Sequence, residues 1–171
     1  MTLDHRPPAR LRPLRAADRG FFRSLAEDER VVRYVGDGRP WSDAYAERRF
    51  GDALAGGTSA DRKLSWSIAE TAPDVPIGLL ALTYLPNETE LGYWISPSHW
   101  GRGHGAKLVR HALAAAAEHA PGKPLVPHIH PDNVRSRLLI ERAGFVERDH
   151  GPVGPTPELQ FWRYPVTEPR H

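Results

Sequence analysis

The run from Glu90 to Leu113 reads E-L-G-Y-W-I-S-P-S-H-W-G-R-G-H-G-A-K-L-V-R-H-A-L and divides into three parts. Glu90 to Ile95 is a short, aromatic-rich, β-prone segment. Ser96 to Gly103 holds one proline and two glycines and reads as a turn. From about His104 an amphipathic helical pattern follows, with Leu108, Val109, Ala112, Leu113 and Ala116 on one face and Lys107, Arg110, His111 and Glu118 outside it. Strand, glycine loop and helix in this order form an anion-binding layout. Gly101, Gly103 and Gly105 lack Cβ, so the backbone can take positive φ and a ligand can approach it closely. Successive N–H groups can converge there on one anion, the helix start adds the positive end of its dipole, and Arg102, Lys107 and Arg110 add full charge. A pyrophosphate or nucleotide phosphate suits such a loop; a plain tight turn is the alternative, and context has to decide between them.

Upstream, the period changes toward two. Leu64, Trp66 and Ile68 alternate with polar residues, and Ile77 to Tyr84 reads as a buried strand. Short turns, A-P-D-V-P and L-P-N-E, link these runs, so strands over Leu64–Glu70, Ile77–Tyr84 and Glu88–Ile95 form an antiparallel meander whose last member feeds the loop. Before the meander lie a strand around Leu11 and Leu14, a helix with Asp18 as its N-cap, a short helical stretch over Glu29–Tyr34, and a third helix from Ser42 to Leu54. Downstream of Pro121-Gly122, Leu125 to His130 is a short strand, and a strand–helix–strand connection of this length predicts a parallel pair. Asp132 and Asn133 start a last helix that stops at Gly144, and strands near Phe145–Arg148 and Leu159–Tyr164 close the chain.

The 171 residues read as a single domain over 1–171, long enough to bury roughly 70% of the unfolded surface. The chain has no cysteine, which excludes a disulfide framework and a thiol nucleophile. No apolar signal core or membrane-length window appears, so a cytoplasmic protein with no membrane partner is expected. The net charge of +2 leaves no strong nucleic-acid footprint. Arg6 to Arg19 carries five arginines and reads as a solvated face with a flexible N-terminus.

The stretch L-G-Y-W-I-S-P-S-H-W-G-R-G-H-G followed by N-V-R-S-R-L-L-I-E-R-A-G-F resembles the GNAT superfamily of acyl-CoA N-acyltransferases, and most closely its Rim-type branch, which acetylates protein N-termini. The opening L-R-P-L-R-A-A-D and Ile77-Gly78 extend the likeness over nearly the whole chain. The family's loop usually carries Gln or Arg where this chain has Trp100, a residue familiar at that place in the Rim-type branch. The resemblance implies an α/β (α+β) GNAT fold: a mixed central sheet of about six to seven strands with an antiparallel N-terminal meander and helices on both faces.

The resemblance further implies acetyl-CoA as co-substrate. Its pyrophosphate would lie on the amides of Gly101, Arg102, Gly103, His104, Gly105 and Ala106, and its pantetheine along Tyr93, Trp94, Ile95 and Ser96. A backbone N–H of Trp94 or Ile95 would meet the oxyanion. Asn133 would hold the pantetheine side, and Ser136, one turn on, could donate to the leaving thiolate. Many relatives use a tyrosine later in this helix, where this chain has Ile140. Asn133 as a helix-start residue and Ser136 as a surface hydroxyl are the alternatives.

Attack requires a neutral amine, so some group or water must take a proton. Glu90 is the first candidate base, on the strand face that also carries Glu88, Gly92 and Trp94; a solvated strand-end glutamate is the plain alternative. His99, His128 and His130 are rivals. His128-x-His130 lacks a third ligand of convincing spacing and H-E-x-x-H is absent, so no metal is expected. Tyr34, Asp37, Trp41 and Tyr45 are acceptor-side candidates by location, Asp37 also being a simple turn residue. The expected activity is acetyl transfer to a primary amine, either a protein N-terminus or a small molecule, by direct attack in a ternary complex. A catalytically weak acyl-CoA-binding regulatory or interaction module is the alternative, and a homodimer is left open.

Overall fold

The computed structural model of the chain describes residues 10–57, 59–148 and 156–166. Strand β1 (Arg10–Pro13) leads through a 3-10 turn (Ala16–Asp18) into helices α1 (Arg19–Ala26), α2 (Glu29–Val32) and α3 (Asp43–Leu54). The meander follows as β2 (Lys63–Ala72), β3 (Val75–Tyr84) and β4 (Thr89–Ile95). A 3-10 turn (Pro97–His99) then precedes α4 (His104–His119), β5 (Leu125–Ile129), α5 (Val134–Arg142), β6 (Val146–Arg148) and β7 (Leu159–Trp162). The last helix ends as expected: Gly144 takes φ 83° and the Phe145 N–H returns to the Ile140 carbonyl at 3.2 Å.

The strands form one seven-stranded sheet in the order β1-β2-β3-β4-β5-β7-β6. Every pairing is antiparallel except β4 with β5, the two strands joined through α4. The sequence places β6 and β7 at the end of the chain but does not show that β7 inserts between β5 and β6.

Both faces of the sheet are covered, as the alternation in β2 and β3 requires. Leu64, Trp66, Ile68 and Leu79 pack on Phe22, Leu25 and Ala26 of α1 and on Ala46, Phe50 and Ala53 of α3. On the opposite face Leu80, Leu82, Leu91, Leu125 and Ile129 meet Leu108, Val109, Ala112 and Ala116 of α4 and Ile140 of α5. Each fully buried Phe or Leu contributes about 1.5–3 kcal/mol relative to exposure. The α4 stripe read from the sequence is this buried seam. Among the described residues no helix is long and apolar enough to cross a membrane.

Asp18 does not cap α1. Its carboxylate accepts from Arg12 Nη1 and Nη2 at 2.8 and 2.7 Å and from the Arg15 backbone N–H at 2.7 Å. Arg12 also donates through Nε to Glu70, which is buried where β2 loses register with β3 between Ala69 and Ala72. The arginine-rich segment is therefore not a wholly solvated face: Arg12 sits inside an ion triad, while Arg6 and the expected flexible N-terminus lie outside the described residues. Desolvation pushes the Asp18 carboxyl up, but the hydrogen bonds from Arg12 and the Arg15 amide outweigh it and hold the group below its usual range.

Removing Arg12 would strand two buried carboxylates. Arg12→Met is expected to lower the free energy of unfolding by about 3–5 kcal/mol, read from urea denaturation. Because the folded carboxyl of Asp18 is depressed, its stabilisation is present above the ordinary carboxylate range and is lost as pH falls through the depressed value. Asp18→Asn should accordingly lower Tm at pH 7 and narrow its gap from the unsubstituted protein as the solution is acidified.

Candidate active site

Strands β4 and β5 occupy the middle of the sheet, yet they pair only at Thr89–Leu125, Glu90–Val126 and Leu91–Pro127. Pro127, which has no N–H to give to a ladder, fills the last paired position. Beyond it the strands part, and among the described residues Gly92 to Ile95 keep β3 as their one strand neighbour.

The register decides which amides face the gap. The Ser96 N–H donates to the Ile77 carbonyl of β3 at 2.8 Å, and the Thr89 N–H donates to Pro124 on the β5 side at 2.9 Å. Alternation then directs the N–H of Trp94 to β3 and those of Tyr93 and Ile95 into the gap. Of the two amides suggested for an oxyanion, Trp94 and Ile95, only Ile95 faces the opening. Trp94 turns its indole the other way, stacked on Phe22 at 6.0 Å and edge-on to Trp41 at 5.1 Å. The Ile95 carbonyl accepts from Trp100 Nε1 at 2.8 Å, so the unusual loop tryptophan ties the turn to the end of β4.

Past Ser96 the loop has the conformation its glycines allow. Gly101 and Gly103 take φ 72° and 77°, and a Cβ on either would meet no atom within 4 Å. Gly103 is the N-cap of α4 and no side chain caps it, so the first-turn N–H groups of His104, Gly105 and Ala106 have no intrahelical acceptor. Arg102 is exposed beside them, while the imidazole of His104 is buried. The missing Cβ of Gly105 is not used for a positive φ. The residue lies within α4, and a Cβ there would stand 2.7 Å from Leu139 Cδ1 and 3.7 Å from Tyr93 Cε2. It lets α4 approach α5 and β4 closely.

On the α5 side Asn133 caps the helix, its Oδ1 accepting from the Ser136 N–H at 3.2 Å. Ser136 Oγ lies 2.8 Å from the phenol oxygen of Tyr93. Burial pushes the Tyr93 phenol up, and its bond to Ser136 offsets part of that shift, so a neutral O–H backs the serine hydroxyl. Ile140 is fully buried in the core, so no hydroxyl comes from that position.

At the other end of the gap Glu88, Glu90 and His128 converge: one oxygen from each carboxylate and a ring nitrogen of His128 all lie within 4.8 Å of one another. His128 Nδ1 is 3.2 Å from Glu158 Oε2. This contact follows from the β5–β7 register, in which His128 faces Gln160 and Glu158 stands one diagonal along the same face. His128 and His130 are not used together. His130 stacks on Tyr34 at 5.6 Å and accepts the Asp132 N–H at 3.1 Å. His99 belongs to the turn, its Nδ1 3.0 Å from Ser98 Oγ. Trp41 and Tyr45 form an edge-to-face pair at 4.7 Å beside Trp94, and Asp37 is a turn residue whose carboxylate takes the Arg39 N–H.

Two groups escape sequence reasoning. Glu158 lies outside every motif and is brought in only by β7, and the Tyr93 hydroxyl is hidden in a strand read for its backbone. Together the parts can hold an extended amide-bearing chain in the β4–β5 gap, an anion at the α4 terminus, and a cation or proton among Glu88, Glu90 and His128.

The solved structures that resemble this one include the spermidine N-acetyltransferase from Vibrio cholerae in complex with CoA and spermine, which shares 21% identity over 90% of this chain and 93% of that chain, with a TM-score of 0.73. An acetyltransferase from Agrobacterium tumefaciens str. C58 shares 24% identity over 96% and 98%, with a TM-score of 0.70. A domain from Methanocaldococcus jannaschii DSM 2661 reaches 0.74 at 16% identity over 91% and 97%. At these identities the likeness is one of fold. Residues 9–146, which include the loop, the parted strands and α5, match the acetyltransferase (GNAT) domain family, and the chain belongs to that family.

Proposed function

We propose that the chain transfers an acetyl group from acetyl-CoA to a primary amine by direct attack in a ternary complex. The observation that carries this reading is the gap between β4 and β5, open on the amides of Tyr93 and Ile95 and ending at an uncapped helix N-terminus. The pyrophosphate takes the amides of Gly101 to Ala106, with Arg102 adjacent, and the pantetheine runs along Gly92 to Ser96 as a substitute strand. The Ile95 N–H meets the thioester oxygen as charge develops there. Asn133 flanks the pantetheine through its cap position, and Ser136, backed by the neutral Tyr93 phenol, protonates the departing thiolate. No cysteine is available to form an acyl-enzyme, which favours the direct route.

For the acceptor we propose a small cationic amine. Glu88 and Glu90 stand next to the parting of the strands, where an ammonium entering beside the thioester would be attracted and held. The similar Vibrio protein is crystallised with spermine, which makes di- and polyamines the first acceptors to test. The Rim-type likeness of the sequence makes a peptide N-terminus the second. A binding module without turnover is the competing reading.

Thiol release from acetyl-CoA, measured against spermidine, spermine, simple diamines and peptides with free N-termini, separates these readings. Turnover above the amine-free background is expected with at least one small amine, whereas tight CoA binding with no turnover on any acceptor would establish the binding module. Gly103→Val places a β-branched residue at φ 77°, at a strain of about 1–2 kcal/mol, and should weaken CoA at least tenfold by calorimetry. Unchanged affinity would remove the loop from the site. Glu90→Gln should reduce kcat/KM for the amine by roughly tenfold or more with CoA affinity intact.

A further inference from the structure

Around the parted strands the donors and acceptors are unevenly matched. His128 Nδ1 is engaged by Glu158, yet His128 Nε2 is buried and has no hydrogen-bond partner among the described residues. An imidazole that donates Nδ1–H to a carboxylate carries its lone pair on Nε2. A ring nitrogen of His128 shares a half-buried corner with one oxygen each of Glu88 and Glu90, and with Nδ1 turned to Glu158 the nitrogen left for that corner is Nε2; three acceptors facing one another repel unless a proton or a cation comes between them. The charged groups around the ring are Glu88 just ahead of β4, Glu90 from β4 and Glu158 ahead of β7; His130, just past the end of β5, is turned to Tyr34 and Asp132.

We infer that His128 Nε2 is the base that takes the proton from the acceptor's ammonium, with Glu158 as its positioning residue and Glu88 and Glu90 as the anchors of the ammonium. This rests on the acetyl-transfer reading above. It moves the base from Glu90, the candidate of the sequence, to the imidazole, and leaves Glu90 the task of holding charge. Three acceptors at about 2.9 Å from a tetrahedral nitrogen stand about 4.7 Å apart, and the three atoms here, all within 4.8 Å of one another, are close enough to meet one ammonium.

The steps balance. The ammonium gives one proton to Nε2, forming imidazolium and a neutral amine. The amine lone pair forms the C–N bond while the carbonyl π electrons move to oxygen. Collapse of the oxyanion breaks the C–S bond, and the sulfur leaves with that electron pair. The thiolate takes a proton through Ser136, and the proton lost by nitrogen as it becomes an amide restores the serine. The imidazolium releases its proton to solvent, the one proton the overall reaction yields.

His128→Ala should lower kcat about 100-fold or more, leave CoA affinity unchanged, and regain turnover when free imidazole is added. Glu158→Gln should lower kcat by a smaller factor, and imidazole should not rescue it. In the unsubstituted protein, long-range proton–nitrogen NMR should assign the neutral ring of His128 to the Nδ1–H tautomer. Full activity of His128→Ala, absence of imidazole rescue, or an Nε2–H tautomer would each overturn the assignment while wild-type turnover still stood. Wild-type inactivity on every amine would instead remove the acetyl-transfer reading beneath it. Stoichiometric zinc binding that Glu90→Gln and His128→Ala both abolish, with turnover lost on chelation, would replace the ammonium site by a metal site.

Discussion

The parting of β4 and β5 is the constraint on which the rest of the molecule depends. Two central strands of a sheet normally satisfy each other's backbone groups, and leaving such groups unpaired away from water costs free energy comparable to a lost hydrogen bond each. Here the ladder stops after Leu91–Pro127, and among the described residues the amides of Tyr93 and Ile95 have no strand to donate to. Such a slot is a hydrogen-bonding surface for an extended guest. It persists because both walls are held from outside. Leu91, Leu125 and Ile129 are packed under α4 and α5, while Trp94 is locked against Phe22 and Trp41 on the opposite face. Trp100 satisfies the Ile95 carbonyl from the loop side and fixes where the slot ends.

Charge is sorted along the same line. The α4 terminus presents first-turn amides that no side-chain cap covers, with Arg102 beside them, and the opposite end presents Glu88, Glu90 and Glu158 around one imidazole. Strand β4 sets this polarity, since Glu88 precedes it and Glu90 lies at its start, while its last residues lead into the glycine loop. On the proposed acetyl-transfer reading, an anionic co-substrate and a cationic acceptor would be drawn to different ends of one slot, with the gap-facing amides between them. The other buried charges, Arg12 with Asp18 and Glu70, lie at β1 and the β2 bulge and serve to attach the first strand and the 3-10 turn to the sheet.

Much of this was legible in the residues themselves. The alternation of Leu64, Trp66 and Ile68, the stripe of α4, the glycines of the loop and the Gly144 stop are local signals, because each arises from a period or a backbone freedom fixed within a few residues. They determined a meander feeding an anion loop and a following helix, and with the Asn133 to Phe145 motif they pointed to the family. Local signals also misled: Asp18 looks like an N-cap from its neighbours, but the strand residue Arg12, which also binds the distant Glu70, claims its carboxylate, and Gly105 looks like a positive-φ loop glycine although its missing Cβ serves helix packing.

What tertiary structure alone decided concerns partners from separate parts of the chain. The choice of Ile95 over Trp94 depends on strand register, which a one-residue slip would reverse. The Tyr93–Ser136 pair joins β4 to α5, and the Glu158–His128 contact exists only because β7 returns between β5 and β6. The sequence by itself determined which elements form and that an anion loop stands between a strand and a helix, because those properties are short-range. Which polar groups face one another across the parted strands was decided by long-range packing and register, which carry no periodic signature along the chain.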